Sequence, residues 1–246
     1  EKNSYAIQSI QSLEKNIDNP DCDWSMAKDH KMSFESVTQL DVVMVLDASE
    51  SLGENFQLLK QYSKDFASSI LTKSESTEIG LVGFANNIQR FPLRTKAEQV
   101  SADIDKLQTG EHTALYEALN AAIDLLASSR AEARALLVFT DGFDDHYTSP
   151  INLDFVKTKL GSIPGAPVSV FGIGFTNTAN HALMHFLAKR DGMSEIAEDA
   201  DDLQGIFTHF ANVIPHVYTI RYTGSPQVIP ADLAIELRFQ IEGVIR

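Results

Sequence analysis

Five oxygen-bearing side chains stand at positions where they could act on one ligand. Asp47, Ser49 and Ser51 alternate in the run Asp-Ala-Ser-Glu-Ser, directly after a short apolar segment. Thr113 precedes a helical pattern in His-Thr-Ala-Leu-Tyr-Glu-Ala-Leu, and Asp141 closes a second apolar run, Ala-Leu-Leu-Val-Phe-Thr-Asp-Gly. Carboxylates and hydroxyls are hard donors, suited to Mg²⁺, Mn²⁺ or Ca²⁺ and unsuited to soft metals. Taken alone, the first three residues read equally as a cap for a helix near residue 55, because Asp and Ser are favoured there. A cap leaves Thr113 and Asp141 unexplained.

The elements that must position these residues follow from hydrophobic periodicity. Asp41–Leu46 (DVVMVL) and Ala135–Thr140 (ALLVFT) are short and continuously apolar, as in strands buried on both faces. Glu78–Ala85 is another strand, and the Asn86-Asn87 turn after it is too short for a parallel crossover. The next strand, Ile88–Leu93, must therefore run antiparallel beside it. Helical spacing marks Phe56 to Ile70, Leu115 to Leu126, and regions near 152–161, 179–189 and 201–213, with strands at Val168–Gly174 and near 193–197. This alternation predicts an α/β fold, doubly wound, with a mostly parallel sheet flanked by helices. The carboxyl ends of its strands, where Asp47 and Asp141 fall, line the ligand crevice of such sheets.

Both ends of the chain read differently. Ile7, Ile10, Leu13 and Ile17 predict a helix over about 4–18, followed by an irregular connector, so that residues 1–38 form an N-terminal helix and connector. Residues 39–214 carry the α/β pattern. From 215 to 246 the period becomes two, with Tyr218, Ile220 and Tyr222, then Leu233, Ile235, Leu237, Phe239 and Ile241. That predicts a C-terminal antiparallel β extension or the start of a second β module. A two-stranded ribbon cannot cover such an apolar face alone, so the N-terminal segment is expected to meet it.

Composition narrows the function. The 246 residues are 43% hydrophobic, enough to build a core, and carry 20 Lys and Arg against 34 Asp and Glu for a net charge of −14. An acidic chain without basic runs is a poor partner for nucleic acid or anionic membrane surfaces. No apolar stretch reaches the roughly 18 residues of a bilayer span, which argues against direct membrane insertion. One cysteine, Cys22, excludes an internal disulfide framework and a multi-Cys zinc site. The first residue is Glu1, a start expected of a processed product or excised piece.

The runs DASES, HTALYEAL and LLVFTDG, in that order on an α/β alternation, resemble the von Willebrand factor A domain over about residues 40–213. The matching pattern is that family's metal-ion-dependent adhesion site, Asp-x-Ser-x-Ser, then Thr, then Asp. Asp47, Ser49, Ser51, Thr113 and Asp141 occupy its five positions, with His112 and Glu50 where the family commonly has Gly. The resemblance implies a six-stranded sheet of order 3-2-1-4-5-6 with strand three antiparallel. It implies a divalent cation, Mg²⁺ foremost with Mn²⁺ or Ca²⁺ as alternatives, and no catalytic residues. It implies a protein-binding module that captures an Asp or Glu side chain of a partner, placed outside the cell, in the periplasm or on the cell surface. Glu50, His112, Asp144, Asp145 and His146 would form the partner-contacting rim.

Two other readings stand beside this one. An enzyme subunit using the same metal for hydrolytic or phosphatase-like chemistry would need a second Asp two residues after Asp47, where the chain has Ser49. A structural assembly domain would act through its β extension. His181 and His185 have zinc-compatible spacing, but Ala182 stands where a metalloprotease helix needs Glu.

Overall fold

The computed structural model describes residues 7–16, 25–26, 31–36, 39–73, 76–145, 149–166, 168–176, 183–184, 186, 192–215, 218–223, 233–241 and 244–245. In chain order its elements are β1 (Ile7–Asn16), β2 (Ser25–Met26), β3 (Lys31–Ser36), β4 (Leu40–Asp47) and α1 (Asn55–Leu71). There follow β5 (Thr77–Phe84), β6 (Ile88–Arg94), α2 (Ala97–Asp105), α3 (Leu115–Ala127), β7 (Ala133–Thr140) and α4 (Leu153–Ser162). The last are β8 (Val168–Phe175), β9 (Met193–Ala197), α5 (Ala200–Val213), β10 (Tyr218–Thr223), β11 (Leu233–Ile241) and β12 (Val244–Ile245). Chain contacts divide these into two units, Ser36–Val217 on one hand and Glu1–Glu35 with Tyr218–Arg246 on the other.

The larger unit is a six-stranded sheet of order β6-β5-β4-β7-β8-β9, which is 3-2-1-4-5-6 in its own strand count. All its pairings are parallel except β5 with β6, as the two-residue Asn86-Asn87 turn requires. The continuous apolar character of β4 has a direct cause, since alternate residues serve opposite layers. Leu40, Val42, Met44 and Leu46 join one core with Phe56, Leu59, Phe66 and Ile70 of α1 and Phe207 and Phe210 of α5. Val43 and Val45 join the other with Leu115, Leu119, Ile123 and Leu126 of α3. Each such side chain contributes about 1.5–3 kcal/mol on burial, which makes a strand slip by one residue prohibitive. The order reverses between β4 and β7, so their carboxyl ends, carrying Asp47 and Asp141, open one crevice.

The smaller unit corrects the reading of the ends. Ile7–Asn16 is a strand, not a helix, and pairs antiparallel with β11. A register shift between Ile7 and Ser9 accounts for the first interval of that spacing, while Ile10 and Leu13 lie in unbroken register: Ile7 lies opposite Ile241 and Ile10 opposite Phe239. Three steps along β1 therefore span two along β11. This bulge gives a strand the three-residue apolar spacing normally read as helical. The expected connector contains β2 and β3, and β10 pairs with β3 instead of forming a ribbon with β11. The flanks thus meet, as the apolar face of β11 demands, by exchanging strands. Cys22, His146, His181, His185 and most of the expected helix near 179–189 lie outside the described residues.

Candidate metal centre

The crevice is assembled from three turns that are stitched together by backbone hydrogen bonds. After β4, the Ala48 amide donates to Phe84 O at 2.7 Å. Ser49 forms an isolated parallel bridge with Gly110, with Glu50 N donating to Gly110 O at 2.9 Å and Gly110 N to Ala48 O at 3.1 Å. The loop before α3 is therefore fixed against the loop after β4. Gly110 also lies close against the β5–β6 turn: a Cβ there would fall 2.2 Å from Asn86 Oδ1 and 3.0 Å from Ala85 Cβ. The same Asn86 oxygen accepts the His112 amide at 3.3 Å.

At the centre, oxygens converge. Ser49 Oγ and Ser51 Oγ are 2.9 Å apart, Ser51 Oγ donates to Asp141 Oδ1 at 3.0 Å, and Ser49 Oγ reaches the same atom at 3.5 Å. Asp47 Oδ1 accepts the Ser49 amide at 2.9 Å and Asp47 Oδ2 accepts the Thr140 hydroxyl at 2.7 Å. The structure thus brings Asp47, Ser49, Ser51 and Asp141 into one network across 90-odd residues of chain. Asp47, Ser49, Thr113 and Asp141 are buried, while Ser51 is open to solvent.

Electrostatics follow from that burial. Desolvation pushes the Asp47 carboxyl up to about 6 against the hydrogen bonds from Ser49 and Thr140, and the neighbouring Asp141 charge adds to the rise. Asp141 is likewise raised by desolvation, with the Ser51 and Ser49 hydroxyls opposing. The partners of Asp47 are a neutral amide and a neutral hydroxyl. Two carboxylates held in this way, beside hydroxyl oxygens, suit a hard divalent ion that compensates their charge.

Thr113 is placed by a contact that sequence reasoning missed. Its amide donates to Asp145 Oδ1 at 2.6 Å and its carbonyl accepts the Asp145 amide at 3.2 Å. Asp145 Oδ2 lies 3.3 Å from His112 Nδ1. Burial works to raise the Asp145 carboxyl, but the Thr113 amide and His112 outweigh it and hold it below its ordinary value. Asp144 Oδ2 accepts the Tyr116 amide at 2.9 Å and so caps α3, whose own N-cap residue, Ala114, has no side chain for the task. Asp144 and Asp145, expected on the rim, thus direct carboxylate oxygens to the first turn of α3 and to the loop before it. Glu50 and His112 are exposed, and between the anchored Asp141 and Asp144 the ring of Phe143 is 60% exposed.

Among the described residues no three His, Cys, Asp or Glu side chains converge on one point.

Comparison with known proteins agrees with this fold. The model of the von Willebrand factor type A domain matches residues 41–209. The human collagen alpha-5(VI) chain is 25% identical over 175 residues, 68% of this chain and 6% of that one. An uncharacterised protein of Borreliella burgdorferi is 30% identical over 143 residues, 54% of this chain and 40% of that one. The chain therefore spans less than half the length of the curated relatives it matches. Among solved structures, proximal thread matrix protein 1 of the mussel byssus superposes with a TM-score of 0.64 at 18% identity, over 80% of this chain and half of that one, in a form with a zinc-occupied adhesion motif. The von Willebrand domain of the Porphyromonas gingivalis pilus tip protein Mfa5 gives 0.58 at 13% identity, covering 72% of this chain and 95% of that one.

Proposed function

The chain belongs to the von Willebrand factor type A family, and from that membership we propose that it is a metal-dependent protein-binding module which captures an acidic side chain of a partner. The observation that carries the reading is the convergence of Ser49 Oγ, Ser51 Oγ and Asp141 Oδ1 beside the buried Asp47. Asp47, Ser49, Ser51, Thr113 and Asp141 would hold the ion, Mg²⁺ in preference to Mn²⁺ or Ca²⁺. Bound there, a divalent cation supplies an electrophilic position at which a carboxylate from another protein replaces water. The protein's own residues set the conditions for that exchange. Asp47 and Asp141 would balance the ion's charge, the hydroxyls would add neutral donors, and the burial of the two carboxylates would strengthen their hold on it. Ser51, at the open side, leaves the approach to solvent clear. Glu50 and His112, with His146, would meet the partner.

The relatives are named for a collagen chain, a byssal matrix protein and a pilus tip, which supports binding in an extracellular, periplasmic or cell-surface setting. Among the described residues no helix is long and apolar enough to cross a membrane. The test uses Mn²⁺ in place of Mg²⁺ and follows water proton relaxation with glutarate as the carboxylate probe. The wild-type chain is expected to bind Mn²⁺, and glutarate to lower the relaxation by displacing bound water. Asp47→Ala and Asp141→Ala should each lose Mn²⁺ binding. Unchanged binding in both variants, or relaxation indifferent to glutarate, overturns the reading.

A further inference from the structure

We infer that Asp145 is a positioning residue of this centre, fixing Thr113 in place through its backbone and acting on the ion only by way of Thr113. The inference rests on the metal-binding reading above. Thr113 belongs to no regular element: it lies in the loop between α2 and α3, just before the Ala114 N-cap. A loop residue has no ladder to hold it, so its position depends on whatever its amide and carbonyl meet.

Both meet Asp145. The side-chain oxygen takes the amide at 2.6 Å while the Asp145 amide is given to the carbonyl at 3.2 Å, a reciprocal pair across 32 residues of sequence. The other carboxylate oxygen lies against His112, so both oxygens of Asp145 face this loop. One residue earlier, Asp144 holds the Tyr116 amide at 2.9 Å. The segment 112–116 is therefore grasped at three residues by a dipeptide three and four positions beyond Asp141. Thr113 can shift only by breaking these bonds or by carrying Asp144 and Asp145 with it. A charged acceptor on a backbone amide makes a stronger hydrogen bond than a neutral pair, so the clasp resists small displacements. Groups that orient metal ligands typically govern affinity by 10- to 100-fold.

The experiment is a double-mutant cycle on Mg²⁺ affinity in the full chain, read by calorimetry, with Thr113→Ala, Asp145→Ala and both together. Asp145→Ala should weaken binding by about tenfold or more. If it acts through Thr113, the double variant should bind within about twofold of Thr113→Ala alone. Asp145→Asn, whose Oδ1 still accepts the amide, should recover most of the affinity. In chelator, the Thr113 amide should exchange with solvent at least about tenfold faster in Asp145→Ala, with the amides of β4 and β7 unaffected. Asp145→Ser replaces the alanine variant if that chain does not fold. Additive losses, wild-type affinity in Asp145→Ala, no rescue by Asn, or unchanged Thr113 exchange would each overturn the inference. A wild-type chain that binds no Mg²⁺ would instead sink the metal reading, and the exchange measurement would still judge the clasp.

Discussion

Asp47→Asn should stabilise the protein in the presence of chelator, and the gain should depend on pH. The carboxyl is fully buried and its pKa rises from 3.8 to about 6 on folding, chiefly through desolvation. Below pH 3.8 it is protonated in both the folded and the unfolded chain and costs nothing. As pH rises, the unfolded chain ionises first, and the penalty is complete once pH passes about 6. At about 1.36 kcal/mol per pKa unit, the wild type then carries a cost of about 3 kcal/mol. Asparagine has the same shape and no charge. Its oxygen still accepts the Ser49 amide, its NH₂ can donate to Thr140 Oγ1, and the Thr140 proton can turn to Gly142 O, 3.4 Å away. The isostere therefore removes the ionisation cost without orphaning a polar group. In urea titrations with chelator at pH 7.5, Asp47→Asn should exceed wild type by up to about 3 kcal/mol, or about 6–12 °C in Tm. By pH 4 the gap should narrow to under about 1 kcal/mol. A variant no more stable at pH 7.5, or a gap that ignores pH, refutes the reasoning.

Two further outcomes follow from close packing and buried charge. Gly110→Ala should cost about 1–3 kcal/mol, because the added methyl crowds Ala85 and displaces the Asn86 oxygen that accepts the His112 amide; an unchanged urea midpoint would contradict the close approach. Arg134, 2% exposed at the start of β7, donates to Leu126 O at 3.2 Å, to Pro164 O at 2.9 Å and to Ala166 O, with Asp41 as the nearby charge. Arg134→Ala should cost about 3–5 kcal/mol, and Arg134→Lys should recover only a fraction of it, since an ammonium cannot serve the same fork of carbonyls. Chemical denaturation measures both, and full recovery by lysine would show that the planar geometry is irrelevant.

The central sheet was legible because β4 and β7 are buried on both faces, which leaves an unbroken apolar run that no surface strand shows. That Asp47, Ser49, Ser51 and Asp141 lie together was legible because strand ends bring residue types together at predictable places. Asp144 and Asp145 were opaque for the opposite reason. Their acceptors act on amides 28 and 32 residues away, and a local reading finds only charges on a loop. The α3 N-terminus hid its cap in the same way, because Ala114 carries no signal and Asp144 supplies it from another turn. In β1 the pattern was visible but ambiguous: one inserted residue at a bulge turns a strand's period of two into a local three.

The pairing of β1 with β11 determines how the chain carries mechanical load. Ile7 lies opposite Ile241 and Asn16 opposite Leu233, so the outer ends of the two strands are neighbours. Tension drawing residues 7 and 241 away from each other pulls across the ladder, not along it. Its rungs then break singly, starting from Ile7–Ile241, as in a zipper, whereas shear would have loaded them all together. Opening both strands releases slack on the order of 60 Å, at about 3.3 Å per residue, before the segments leading to Ser36 and Tyr218 are drawn taut. A ladder loaded in this way would open at lower force than one loaded in shear.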